Sequence, residues 1–319
     1  MVAMTSLFNG ILRSWKMGRV IANPKASKAP RLATSQWLIT LLSHIAKLFE
    51  HIALRRLHRH LAPRRDQFGF CSGHSFTLQL ARVLHNMAAE HNRGLRIVGV
   101  FLDIEKAFDR VWHSGLLYKF IKNTQILPAL VRTVASFVEG RSFFVAVEDG
   151  TSDPRPIHAG VPQGSCLSPC LYGVYTIDIP TLADQLKDWE EDVVLALYAV
   201  DSAYLASSRR ADLAVAKLQR ILDLLPDWLD KWHVAVNVTR TAALLTGQQR
   251  TMPPKLRLRG QDVKWQTKVR YLGVKIDRSM RMAAQVEHVI YQSRAARSML
   301  RSVLRSHLLL RAKVALYKG

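Results

Sequence analysis

The feature that most constrains this chain is an apolar, β-favouring run that ends in an acid: RIVGVFL at 96–102, followed by Asp103. A run without polar alternation reads as a central strand buried on both faces. An unpaired carboxylate is costly to bury, so Asp103 is expected to open on to a cleft. Nearly a hundred residues further on, VVLALYAVDSAYLA at 193–206 reads as a hairpin whose strands meet near Ala199–Ser202, with Asp201 at its tip. Two acidic strand ends side by side would offer hard oxygen ligands to Mg²⁺. Two such ions about 3.5–4 Å apart suit phosphoryl transfer, one activating a hydroxyl and one holding the phosphates.

The 319 residues are enough for one large unit with two or three subdomains. Lys and Arg number 46 against 24 Asp and Glu, a formal charge of +22. A surplus of that size repels itself, and a polyanionic partner would neutralise it with counterion release. Nucleic acid fits that role better than an anionic membrane, because no run of about 18 apolar residues occurs. The three cysteines, Cys71, Cys166 and Cys170, suggest neither a disulfide framework nor a complete zinc site.

Residues 1–36 are basic and broken by Pro24 and Pro30, and read as short elements and loops carrying Lys16, Lys25, Lys28 and Arg31. From Leu38 to Leu61 a helix is predicted, with Leu41, Leu42, Ile45, Leu48, Phe49, Ile52 and Leu57 on its packing face. A second helix runs from His74 to His91, with Leu78, Ala81, Leu84, Met87 and Ala88 on one side. Residues 115–139 read as helix, Arg141–Glu148 as strand, and HAGVPQGSCLSP as a turn into a helix near Leu171–Ile179. A long helix over 209–225 is predicted to break at Pro226, and Trp228 and Trp232 read as core. Short strands are predicted at 234–246, 255–264 and 269–276, then a basic helical tail from about 283.

FLDIEKAFDRVWH at 101–113, AGVPQGSCLSP at 159–169, LALYAVDSAYLA at 195–206 and VRYLGVKID at 269–277 resemble four successive blocks of a reverse transcriptase. The likeness is to the enzymes of non-LTR, LINE-like and jockey-like retrotransposons. SWKMGRVIANPKASK at 14–28, LLSHIAKLFE at 41–50, DQFGF at 66–70 and KVALYK at 313–318 extend it over nearly the whole chain. The resemblance implies an α+β, right-hand polymerase fold: fingers over 1–95, palm over 96–280, and the start of a thumb over 281–319. It implies an RNA template, a DNA primer, deoxynucleoside triphosphates and two Mg²⁺ ions, with no membrane. A nuclear ribonucleoprotein is the setting it suggests.

Carried over by position, the resemblance makes Asp103 a metal ligand and Phe108 the ring beneath the incoming sugar. Gln163 and Gly164 would lie along the nascent pair, and Tyr198 would belong to the hairpin motif. The hairpin motif reads Tyr-Ala-Asp-Asp in the family and Tyr198-Ala199-Val200-Asp201 here. Val200 supplies no oxygen where a shared metal ligand is expected, and strand neighbours point to opposite sides, so Asp201 would not replace it. Glu105, two positions beyond Asp103, could face the same cleft, but its longer side chain would have to reposition both ions. Arg31 is the nearest candidate for a triphosphate contact. Arg240 stands where a lysine is expected to protonate pyrophosphate, which a guanidinium does poorly. Cys71 replaces a basic residue. The expectation is a truncated, degenerate polymerase domain impaired at Val200. An inert nucleic-acid-binding remnant and a non-functional retroelement fragment are the alternatives.

Overall fold

The computed structural model describes residues 14–24, 36–62, 64–147, 150–182, 193–247, 252–305 and 311. The chain opens with β1 (Met17–Pro24), antiparallel to β2 (Gln36–Leu41). Both strands fall where loops and the start of a helix were predicted. Helix α1 (His44–Leu57) begins only after Ser43. Its buried face matches the predicted one only in part, at Leu57 and the half-buried Phe49. Ala46, Glu50, Ala53 and Leu57 are buried, whereas Ile45, Leu48 and Ile52 are exposed. Lys25, Lys28 and Arg31 lie outside the described residues.

Helix α2 (Phe76–Asn92) is capped by Ser75, whose extended backbone lets its hydroxyl accept from Leu78 N at 3.1 Å. Gln79, Val83 and Met87 face inward and Leu78 outward, a shift from the predicted side. Strand β3 (Arg96–Leu102) follows, then β4 (Ile104–Glu105). The helical stretch predicted over 115–139 is two helices, α3 (His113–Asn123) and α4 (Pro128–Val138). Pro128 occupies the first turn of α4, where its missing N–H costs nothing. Strand β5 (Ser142–Val147) pairs in parallel with β1, and the short strands Gly150–Thr151 and Arg155–Pro156 pair with β5 to make a five-stranded sheet.

Helix α5 (Ser168–Tyr175) leads to β6 (Val193–Tyr198) and β7 (Asp201–Ser208), the predicted hairpin. Helix α6 (Ala211–Lys231) runs straight through Pro226 instead of breaking there. Its buried stripe of Leu218, Ile221, Leu222, Leu225, Trp228 and Leu229 is continuous across the proline, so packing holds the helix together. Trp228 and Trp232 are core residues, as predicted. The remaining labelled elements are β8 (Ala235–Val236), β9 (Ala242–Leu245), β10 (Lys264–Gln266), the hairpin β11 (Lys268–Tyr271) and β12 (Val274–Asp277), and α7 (Ala283–Arg305). Two-residue strands at Arg257–Leu258 and Gln261–Asp262 form a further hairpin.

The central sheet has the order β10-β9-β3-β7-β6, with β3 antiparallel to both neighbours. Each face of β3 belongs to a different core. Val98, Val100 and Leu102 pack with Leu116, Phe120, Leu171 and Leu222 on one side. Ile97 and Phe101 pack with Val83, Met87, Leu205 and Tyr271 on the other. Burial on both faces is why this strand carries an unbroken apolar run.

Candidate functional site

The register of β3 against β7 pairs Leu102 with Ser202. One step further brings Asp103 opposite Asp201, at the edge where both strands leave the core. Crowding by protein atoms raises both carboxyls above the usual aspartate range, and the Asp103 charge raises Asp201 further. For Asp103 the Arg240 guanidinium pulls the other way, with Nη1 at 3.7 Å from Oδ2. The pair is open to solvent, Arg240 at 67% and Asp103 at 40% side-chain exposure, so it is a screened contact. Backbone bonds fix the base of this edge: Thr241 Oγ1 accepts from Asp103 N at 3.3 Å, and Asp103 O accepts from Asn237 N at 2.8 Å. Asn237 Nδ2 also donates to Glu105 Oε1 at 2.8 Å, which turns Glu105 toward β8.

The hairpin closes with Tyr198 paired to Asp201, leaving Ala199 and Val200 as the two-residue turn. Ala199 sits at φ +57°, a conformation that alanine adopts only under local constraint. The constraint is Gln67. Its buried Oε1 accepts from Ala199 N at 2.9 Å and from Gly69 N at 2.8 Å. Gly69 is required beside it, because a Cβ there would lie 2.1 Å from Ala199 N. Val200 packs against the core cluster that also receives Phe108. Asp201 shares its strand face with Ala203 and Leu205, in the second cluster, and its charge bears on Tyr271. The two consecutive residues therefore serve opposite sides of the sheet.

Phe108 is half-buried, its ring 5.2 Å from that of Tyr172. The loop preceding α5 lies close by. Gln163 Nε2 donates to Asp109 Oδ1 at 3.3 Å, and Gln163 O accepts from Thr40 N of β2 at 2.9 Å. Gly164 at φ +107° has no room for a side chain, since a Cβ would meet Thr40 O at 2.8 Å. Behind the loop, the buried Glu50 carboxylate accepts from Ser165 Oγ and Cys166 N, each at 2.7 Å. Ser165 Oγ in turn accepts from Leu167 N at 3.1 Å.

Tyr198, Val200 and Asp201 thus lie at the hairpin turn opposite Asp103, with Arg240 beside Asp103, while Phe108, Gln163 and Gly164 lie on two loops joined through Asp109. Sequence reasoning gave no role to Gln67 or Glu50. Both lie inside quoted motifs, and their signal was only a polar residue at a position that packing demands. Among the described residues, no group of three or more His, Cys, Asp or Glu side chains converges to hold a metal ion. Asp103 and Asp201 could each offer oxygen ligands to a cation, whereas Val200 offers none and the Arg240 guanidinium lies beside Asp103.

A mixed α+β fold with an acid-tipped hairpin beside an acid-ended central strand defines a polymerase-like class. Solved telomerases share the fold: apo telomerase from Candida tropicalis truncated from its C-terminal domain aligns with a TM-score of 0.54 at 14% identity, over 87% of this chain and 58% of that one. The C. tropicalis telomerase in complex with a telomeric RNA fragment gives 0.55 at 12% identity, over 88% and 47%. The family described as reverse transcriptase (RNA-dependent DNA polymerase) matches residues 24–276. Two Drosophila melanogaster relatives are the RNA-directed DNA polymerase from mobile element jockey and the probable one from transposon BS. Each is 34% identical over 98% of this chain. The chain belongs to the reverse transcriptase family, as the domain of a non-LTR, jockey-like retrotransposon. It spans 35% and 36% of the lengths of those two relatives. No helix among the described residues is long and apolar enough to cross a membrane.

Proposed function

We propose that this chain holds an RNA template and a DNA primer in the manner of a reverse transcriptase, and that its DNA synthesis is impaired at Val200. Residues 1–95 would act as fingers, 96–280 as palm, and 281–319 as the start of a thumb. Phe108, Gln163 and Gly164 would border the nascent pair, with Tyr198 beside the turn; Lys25, Lys28 and Arg31 would add basic contacts to substrate, Arg31 being the candidate for the triphosphate.

One observation carries the impairment: the hairpin turn carries a hydrocarbon, Val200, where the family motif has its first acid, and Val200 packs with Phe108 against the core cluster. That position supplies no oxygen ligand. Losing one shared carboxylate from a two-metal site removes charge stabilisation from the transition state. A deficit of about 4 kcal/mol would slow chemistry roughly a thousandfold. Binding would survive, because it draws on the +22 charge rather than on one side chain.

Primer extension on an RNA template, run beside a primer–template binding assay, tests both halves. Salt-sensitive binding without extension is expected. Extension by the unaltered chain that Asp103→Ala abolishes would overturn the impaired half. Binding that is flat across a salt series would overturn the other.

A further inference from the structure

A cavity of about 200 Å³ lies behind the hairpin, between the loop around residues 67–72 and helix α5. Leu61, Phe70, Pro169, Val174 and Ile177 give it apolar walls. Of the polar groups at its edge, which include His58 and Ser72, three have defined partners. The Arg64 guanidinium donates to Ile177 O, Ile179 O, Thr181 Oγ1 and Asp66 Oδ2. Gln67 Oε1 is held by Gly69 N and Ala199 N. The Cys71 thiol donates to Gln67 O at 3.3 Å. A charged ligand would find no free counter-charge among these groups, and an apolar one would strand no polar atom on them.

Two glycines shape the space. Gly69 lets the loop press against the turn of the hairpin. Gly173 of α5 has no atom within 4 Å of where a Cβ would stand, so its side of the helix faces open volume. The thiols of Cys71 and Cys170 line the same cavity, whereas Cys166 lies outside it, 3.3 Å from His51 Nε2.

We propose that this cavity is a binding site for a small, neutral, apolar molecule, seated against the loop whose Gln67 fixes the Ala199–Val200 turn. An occupant would reinforce the wall that Gln67 and Gly69 form, and so stiffen the hairpin from behind. The site is separate from the Asp103–Asp201 edge, and its occupancy does not depend on whether the chain synthesises DNA.

Indole serves as the probe, titrated into the whole chain while thermal melting is followed. A saturable rise in melting temperature is expected, because a ligand that binds only the folded state stabilises it. Gly173→Leu would fill the volume and remove a helix glycine, so it should fold and show no rise. N-ethylmaleimide gives a second readout that needs no variant. Its double bond adds the thiol, sulfur to one carbon and the proton to the other, with nothing released. Indole should slow this addition at Cys71 and leave Cys166 unchanged. No saturable rise in the unaltered chain, an equal rise in Gly173→Leu, or equal protection of Cys71 and Cys166 would overturn the proposal.

Discussion

Arg240 places its guanidinium Nη1 3.7 Å from the Asp103 carboxylate, across the gap between the end of β3 and the turn after β8. The carboxylate that ends the central strand therefore has a cation beside it. The contact is exposed on both sides, so its share of stability is small, on the order of 0–1 kcal/mol. Arg240→Ala should leave the denaturant midpoint nearly unchanged. A loss above about 2 kcal/mol in chemical denaturation would mean that Arg240 has a structural role that this geometry does not give it.

Gln67 should matter more than any surface residue near the hairpin. Its buried carbonyl oxygen satisfies two backbone N–H groups, those of Gly69 and Ala199. Gln67→Ala leaves both without that partner in a confined space, at a cost of about 1–3 kcal/mol per group. Unfolding should shift accordingly, and hydrogen exchange at Ala199 should quicken. Unchanged exchange there would show that the turn is held by something else.

Lys119 gives a pH signature. Its ammonium is fully buried, 2.5 Å from Asp178 Oδ1 and 3.8 Å from the centre of the Trp232 ring. Burial lowers it from 10.5 to about 8, although the Asp178 carboxylate pulls it upward. Between those two values the unfolded chain holds a proton that the folded chain has released. This group therefore adds stability as pH rises through that window and adds no slope below it. Lys119→Met should lose the slope. Urea unfolding of both proteins from pH 7 to 10.5 should show the unaltered chain gaining on the variant above about pH 8. A constant difference would contradict the assignment.

Helix α7 presents Arg294, Arg297, Arg301 and Arg305 around one concavity. If these arginines meet phosphates, each contact releases about 0.9 counterion. Arg297→Ala with Arg301→Ala should lower the salt slope of primer–template binding by about 2 and weaken binding evenly across sequences. Melting should be unaffected, since both side chains are exposed. An unchanged slope would place the nucleic acid elsewhere.

The parts of the fold that were legible in sequence share one property: their local pattern and their packing agree. Strand β3 is apolar throughout because both its faces are buried, and the β6–β7 hairpin is two largely buried runs joined by a two-residue turn. The sheet built on β2, β1 and β5 was not legible. β1 pairs with distant β5 as well as with β2, and long-range pairing leaves no local signature. Leu41, Leu42, Ile45 and Leu48 mimic a helix face, yet β2 takes Leu41, and Ile45 and Leu48 point outward. Pro226 misled for a related reason, since a continuous buried stripe outweighs a local breaker. At the candidate site, Asp103, Asp201 and the Val200 departure were readable from motif spacing. Glu50 was not, because a buried carboxylate that accepts from Ser165 and Cys166 looks in sequence like any helix acid.

The central claim is that a hydrocarbon at the hairpin turn disables chemistry while leaving the fold intact. Single-nucleotide incorporation on an RNA template with Mg²⁺, comparing the unaltered chain with Val200→Asp, addresses it most directly. The account expects incorporation at least about a thousandfold faster in the variant, with similar primer–template affinity. Indistinguishable rates in the two proteins, whether both active or both inert, would contradict it.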